Sequence, residues 1–407
     1  MLERAFIGRR RYQLWLAALL IPVGVGLACY LRQYAQGLGI TGMSRDVIWG
    51  LYIAQFTFLV GVAASAVMVV LPFYLHDQRE FGRVVILGEF LAVAAVVTCV
   101  LHIFADLGQP TRVLNVLLHP APQSVMFWDM LVLTGYLLLN LVIGWTTLDG
   151  ERNATRPPGW IKPLIYLSIP LAVSIHTVTA FLYCGLPGRH LWLTALLAPR
   201  FLATAFAAGP ALLVLLCLVL KKAAGFDAGS GALRKLTITI TYAMFVNLFF
   251  ILLEFFTSFY SGIPSHQRDL HYLFFGLEGH ARMVPWMWAS LVMAVASIPI
   301  LLSTVRRQTP LLLAIACGLV FLSTWMEKGL GLIAGGFAIS PLDTVADYAP
   351  TLPEILISLG IYAAGALILT LLYKIVLSVR EESDGLGPAT TRFDLGVPPP
   401  RDALPNQ

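Results

Sequence analysis

Ten long apolar runs constrain this chain more than any other feature. They cover about 13–31, 47–75, 84–105, 124–146, 163–183, 201–220, 236–260, 285–304, 310–333 and 352–379. A bilayer core takes about 20 apolar residues per helix. Inside it each backbone N–H and C=O must find a partner within its own segment or in a closed barrel. These runs are continuously apolar, not alternating, so they predict helices. The second and last exceed the bilayer and should tilt or protrude. Composition agrees: 58% of the 407 residues are hydrophobic and 12% charged, about half the charge of a soluble domain. The expected fold is an all-α polytopic membrane protein of about ten transmembrane helices. The first run is long and followed by more of the same, which reads as a span and not as a cleavable signal peptide.

Lysine and arginine set the orientation. With the N-terminus inside, the short inner segments hold Arg4, Arg9, Arg10, Arg11, Arg79, Arg83, Arg152, Lys162, Lys221, Lys222, Arg234, Lys235, Arg306, Arg307, Lys374 and Arg380, among others. The outer loops hold Arg32, Arg45, Arg112, Arg189, Arg200, Arg268 and Arg282. Both termini are therefore expected in the cytoplasm, with the chain in a bacterial cytoplasmic (inner) membrane. Residues 1–380 form one integral membrane domain. Residues 381–407, polar and proline-rich, read as a disordered cytoplasmic tail. The outer loops 108–123, 185–200, 261–284 and 334–351 are rich in Pro, Gly and aromatics, and suit partner docking; 191–197 resembles a short interfacial helix. No nucleic-acid partner is expected. The five cysteines (Cys29, Cys99, Cys184, Cys217, Cys317) are scattered and no CxxC occurs, so neither an iron–sulfur cluster nor a covalent haem is expected in this chain.

A charge at mid-bilayer costs about 2.5–3.5 kcal/mol on insertion scales, so each one asks for a reason. Glu89, His102, Asp129, His176, Glu254, Glu327 and Lys328 fall within the runs, and Asp106 sits at the outer end of the third. All but Glu89 and His176 lie in the outer third. His102 and Asp106 share one helix face, as do His176, Thr179 and Tyr183. Asp129 enters from the next helix beside Trp128. An imidazole, carboxylates and a phenol in an apolar pocket suit a quinone, whose ring oxygens exchange two protons with two electrons. Here a carboxylate would fix the imidazole tautomer. The candidate quinone-binding residues are thus His102, Asp106, Asp129, His176, Trp128 and Tyr183. Glu89, Glu254, Glu327 and Lys328 form a candidate proton path. In the plainer reading Lys328 neutralises Glu254 or Glu327, and Glu89 snorkels toward the inner surface near Arg83. Two rival readings stand beside the quinone site. One is a b-type haem between His102 and His176, although the paired histidines of two-haem cytochromes are missing. The other is a secondary transporter, with Pro170 as a possible kink.

Several motifs carry a family resemblance. Trp49-Gly-Leu-Tyr-Ile-Ala-Gln55-Phe opens the second run, Asp106-Leu-Gly-Gln-Pro110 ends the third, and Phe127-Trp128-Asp129 lies in the fourth. Trp325-Met-Glu327-Lys328-Gly-Leu-Gly331 is followed by Ser340-Pro-Leu342 and Tyr348-Ala-Pro-Thr-Leu-Pro-Glu354. Together they resemble the polysulfide-reductase membrane-subunit family (NrfD/PsrC-like). The match is to its ten-helix branch, which includes DsrP of the Dsr electron-transport complex and HybB-type hydrogenase subunits. The resemblance implies two four-helix bundles plus flanking helices. It also implies a quinone pocket (menaquinone or ubiquinone) near the outer side of the first bundle, with His102 and Asp129 as the head-group pair and Asp106 beside it. A periplasmic ferredoxin-like iron–sulfur subunit and further redox subunits of a respiratory or sulfur-metabolism complex would be the partners. Gln55 stands where many relatives carry Asn.

Overall fold

The computed structural model describes residues 2–385 apart from 64, 77, 154, 156 and 308. Ten helices in it are long and apolar enough to cross a membrane. They are α1 (Arg10–Gln36), α2 (Leu51–Leu75), α3 (Val85–Asp106), α4 (Val125–Arg152), α5 (Ile161–Cys184), α6 (Leu197–Ala224), α7 (Ser230–Tyr260), α8 (Val284–Arg307), α9 (Pro310–Ala338) and α10 (Leu352–Gly385). Each coincides with one of the apolar runs. The expected proline-rich tail lies outside the described residues from 386 onward, and α10 itself continues past position 380 to Gly385.

Helices α2–α5 pack as one four-helix group, and α6–α9 as a second. The two groups meet along α2, α5, α6 and α9. Helix α10 lies across α2, α3 and α4, and α1 packs along α10 at the periphery. That last contact depends on two glycines: a Cβ on Gly26 would lie 2.7 Å from the Gly360 Cα. Such small residues let helix backbones approach where lipid offers no hydrophobic driving force. Most of α1 is otherwise exposed, as a lipid-facing flank requires.

Three features set the positions of functional side chains. First, α9 is not α-helical throughout: Trp325–Gly331 is a π-helical turn between Pro310–Thr324 and Leu332–Ala338. The wider turn changes which way its residues face, and such turns often occur at functional sites. Second, the stretch 191–197 does not form the expected interfacial helix. His190–Trp192 is a single 3₁₀ turn that buries Trp192, whose indole N–H donates to the Leu332 carbonyl at 2.9 Å. Trp192 lies among Trp49, Tyr183 and Phe337 with ring centroids 5.0–6.0 Å away. That aromatic packing outweighs placement at the interface. An amphipathic helix, Pro264–Phe274, forms instead in the loop between α7 and α8. Third, the fully buried Glu354 clasps the start of α10. Its carboxylate accepts the Thr351 N–H at 2.8 Å, the Gly42 N–H at 2.7 Å and the Tyr348 hydroxyl at 2.8 Å. A buried carboxylate with every contact met is a structural tie.

Candidate functional site

Of the candidate residues in the first bundle, all but Trp128 and Asp106 lie in its buried interior as placed by α2–α5. Asp129 on α4 accepts the Thr179 hydroxyl of α5 at 2.6 Å. One turn further out on α5, the Tyr183 hydroxyl is hydrogen-bonded to Thr57 of α2. His102 on α3 is fully buried, and its Nδ1 lies 2.9 Å from the Thr98 carbonyl. A carbonyl only accepts, so Nδ1 carries the proton and Nε2 presents a lone pair. The expected carboxylate–imidazole pair is therefore not made. The α3 backbone fixes the His102 tautomer, and Asp129 is held by Thr179.

His102 also packs edge-on against Tyr362 of α10, with centroids 5.3 Å apart. The Tyr362 hydroxyl donates to Gln55 Oε1 at 2.6 Å, and the Trp325 indole N–H donates to the same oxygen at 2.7 Å. Two donors on Oε1 fix the amide orientation, so the Gln55 Nε2 hydrogens point away and find no partner. Sequence reading missed Tyr362 because it sits in an apolar run with no polar neighbour, and it left Gln55 without a role.

Several buried polar atoms of the candidate residues lack partners. Gln55 Nε2, His102 Nε2, both ring nitrogens of His176 and Lys328 Nζ are buried with no hydrogen-bond partner, as is Asp106 Oδ1 at the C-terminal end of α3. Each such atom costs about 1–3 kcal/mol. Natural interiors rarely tolerate several together unless a ligand or ordered water meets them. Beside Asp106 lie Gln33, bonded to the Ala105 carbonyl at 2.7 Å, and Tyr52, whose hydroxyl donates to Gln33 at 2.6 Å. A small cleft lined by Gln33, Leu107, Gly108 and Pro110 opens at that end. Trp128, by contrast, is 46% exposed and donates its indole N–H to the Pro122 carbonyl at 2.8 Å. It points away from the cluster, although it is the sequence neighbour of Asp129.

The second bundle carries a different constellation. Arg200, counted with the outer loops from the charge bias, belongs to the first turn of α6 and is mostly buried. Its guanidinium donates Nε to Glu327 Oε1 at 2.9 Å and Nη2 to the same oxygen at 2.5 Å, and it pairs through Nη1 with Glu254. Asn247 donates to Glu327 Oε2 at 2.9 Å. Lys328 is thus not the counter-ion of either glutamate. Arg200 takes that role, because the π-helical turn sends Glu327 toward α6 and α7 and Lys328 toward the first bundle. Lys328 Nζ sits 4.2 Å over the Phe201 ring. A cleft with room for a few waters, about 40 Å³, is lined by Arg200, Glu254, Glu327, Lys328 and apolar side chains such as Phe255 and Leu291. Glu89 does not snorkel. It is fully buried in the N-terminal half of α3 with neither carboxylate oxygen partnered, and a Cβ on Gly144 would lie 3.2 Å from Oε2.

Comparison with known proteins identifies the family. The family model described as "Polysulphide reductase, NrfD" matches residues 39–341. A Halobacterium salinarum chain named as a dimethyl sulfoxide reductase membrane subunit is 26% identical over 395 residues, 87% of this chain and 88% of that one. A selenate reductase subunit of Mesobacillus selenatarsenatis is 24% identical over 329 residues, 72% and 75% of the two chains. The menaquinone reductase integral membrane subunit of Nitratidesulfovibrio vulgaris is 22% identical over 398 residues, 92% and 93% of the two. The chain is a ten-span membrane protein that belongs to the polysulphide reductase NrfD family.

Proposed function

We propose that the chain is the quinone-binding membrane subunit of a multi-subunit redox complex of respiratory or sulfur metabolism. It exchanges electrons between the quinone pool and an iron–sulfur subunit docked on the outer face, in a bacterial cytoplasmic membrane with both termini inside. The observation that carries this reading is the set of buried, unpartnered donors and acceptors on neighbouring helices: Gln55 Nε2, His102 Nε2 and His176. The resemblance to a menaquinone reductase subunit supports it.

The residues divide the work by their chemistry. The bound quinone supplies the two-electron, two-proton chemistry. The Gln55 amide, its oxygen held by Trp325 and Tyr362, donates a hydrogen bond to a ring carbonyl. His102, with Nδ1 tied to Thr98, offers Nε2 to take a proton from a ring hydroxyl. Asp129 and His176 supply further proton-accepting atoms one helix away. Tyr183 and Thr57 brace α5 against α2. Asp106, beside the cleft at Gln33, connects the cluster to the outer surface for proton release. Glu89 is the inner-side proton inlet of the same bundle. The Arg200, Glu254 and Glu327 cluster holds water in the second bundle.

The test is substitution within the assembled complex. His102→Ala and Asp129→Asn each lower quinone-linked electron transfer by about 10²–10⁴-fold, the range of a lost proton-transfer group, while the subunits still co-purify. Wild-type turnover in both variants would discard this site.

A further inference from the structure

Lys328 is a buried side chain that neither bundle neutralises. Its neighbour Glu327 is fully engaged, with Oε1 on Arg200 and Oε2 on Asn247. Glu254 is engaged with Arg200. Lys328 is 4% exposed, and its Nζ has no hydrogen-bond partner among the described residues. Its direction is fixed by two contacts. Nζ lies 4.2 Å over the Phe201 ring of α6, and a Cβ on Gly61 of α2 would come within 3.2 Å of it. Cys99 of α3 and His176 of α5 are within its electrostatic reach.

Gly61, Cys99 and His176 belong to α2, α3 and α5, helices of the first bundle. Gly61 lies one turn inward of Thr57 on α2. Cys99 lies one turn inward of His102 on α3. His176 lies one turn inward of Thr179, the partner of Asp129, on α5. The Lys328 side chain from α9 thus enters beside α2, within about a turn of the positions of Thr57, His102 and Thr179. It enters there because the π-helical turn at Trp325–Gly331 rotates it away from Glu327, and because Gly61 leaves the space. A buried ammonium without a counter-ion is costly. That cost falls when negative charge appears beside it.

We infer that Lys328 is the cationic floor of the ligand site in the first bundle, an electrostatic positioning residue donated by the second bundle that favours a ring carrying negative charge over a neutral one. This rests on the quinone reading above. No bond to Lys328 forms or breaks, and its ammonium acts through space.

Two naphthoquinones of nearly equal shape separate the possibilities. 2-Hydroxy-1,4-naphthoquinone is anionic at pH 7, and 2-methoxy-1,4-naphthoquinone is neutral. Their equilibrium binding to native membranes containing the full complex is followed by quenching of tryptophan fluorescence. Lys328→Met is expected to weaken binding of the anion by about tenfold or more, the scale of one unit charge within 10 Å at an effective dielectric near 20. The neutral probe should stay within about twofold. Lys328→Arg should restore the discrimination, and Gly61→Ala, which crowds Nζ without removing its charge, should reduce it. Gly61→Ala also serves if Lys328→Met fails to accumulate. Unchanged discrimination in both Lys328→Met and Gly61→Ala would overturn the inference, and so would equal loss of both probes, which marks a packing role. Failure of the wild-type complex to bind either probe would instead overturn the quinone reading, and the inference with it.

Discussion

Removing Arg200 should be among the most damaging single changes in the second bundle. In Arg200→Met the volume is nearly kept, but the guanidinium contacts to Glu327 at 2.9 and 2.5 Å and to Glu254 are lost together. The side chains of Glu327 and Glu254 are only 5% and 16% exposed. Two acids are then left facing each other with only Asn247 in support. Breaking one side of a buried ion pair costs about 3–5 kcal/mol, because the remaining charge stays desolvated. The expected loss is of that size. Arg200→Lys should recover only part of it, because an ammonium cannot span two carboxylates as a planar fork does. Adding Glu327→Gln to Arg200→Met should recover more, since one uncompensated charge is removed; a coupling of about 0.5–3 kcal/mol is usual for residues in one network. The assay is unfolding of the detergent-solubilised protein followed by tryptophan fluorescence, with wild type, Arg200→Met, Glu327→Gln and the double variant forming one cycle and Arg200→Lys measured beside it. If Arg200→Met unfolds within about 1 kcal/mol of wild type, the cost of a surface pair, the triad does not tie the second bundle together.

Two further outcomes follow from groups outside the spans or at their ends. Glu354→Gln turns one carboxylate oxygen into an amide NH2: at the Oε2 position it loses the Gly42 and Thr351 N–H bonds together, and at the Oε1 position it loses the hydrogen bond donated by the Tyr348 hydroxyl; a charged hydrogen bond is worth about 1.5–3 kcal/mol, and unfolding experiments should show a loss of that order with α1 and α10 loosened together. Asp269, in the loop helix Pro264–Phe274 between α7 and α8, has its carboxyl pushed up from 3.8 to about 7 by burial, with Arg268 and Arg189 opposing the shift. Between those pH values the folded state holds a proton that the unfolded chain has released, so stability should fall as pH rises from about 4 to 7. Asp269→Asn should flatten that part of the stability–pH profile, and an unaltered slope would remove Asp269 as its source.

The spans were readable from sequence because lipid imposes one rule on every residue of a crossing segment. The same uniformity hid the details. Tyr362 sits in an apolar stretch that gives no sign of a polar role, yet it packs on His102 and fixes the Gln55 amide. Arg200 follows Pro199 at a loop–helix junction, where charge counting assigns it to the loop and only tertiary packing buries it. Trp128 adjoins Asp129 in sequence, but successive residues on a helix face about 100° apart, so adjacency carried it to the opposite side. The Glu327–Lys328 pair was misassigned because reading at 3.6 residues per turn fails across a π-helical turn. His102, Asp129 and His176 were legible for the opposite reason: ionisable groups inside a span are too expensive to occur idly.

The central claim is that a quinone ring sits among Gln55, His102, Asp129 and His176 in the first bundle. Photolabelling of the native complex with an azido-naphthoquinone, followed by mass-spectrometric mapping of the modified peptides, tests it most directly. The account predicts saturable labelling on α2, α3, α4 and α5, competed away by unlabelled naphthoquinone. Labelling confined to the cleft beside Phe255 and Leu291 in the second bundle would contradict it.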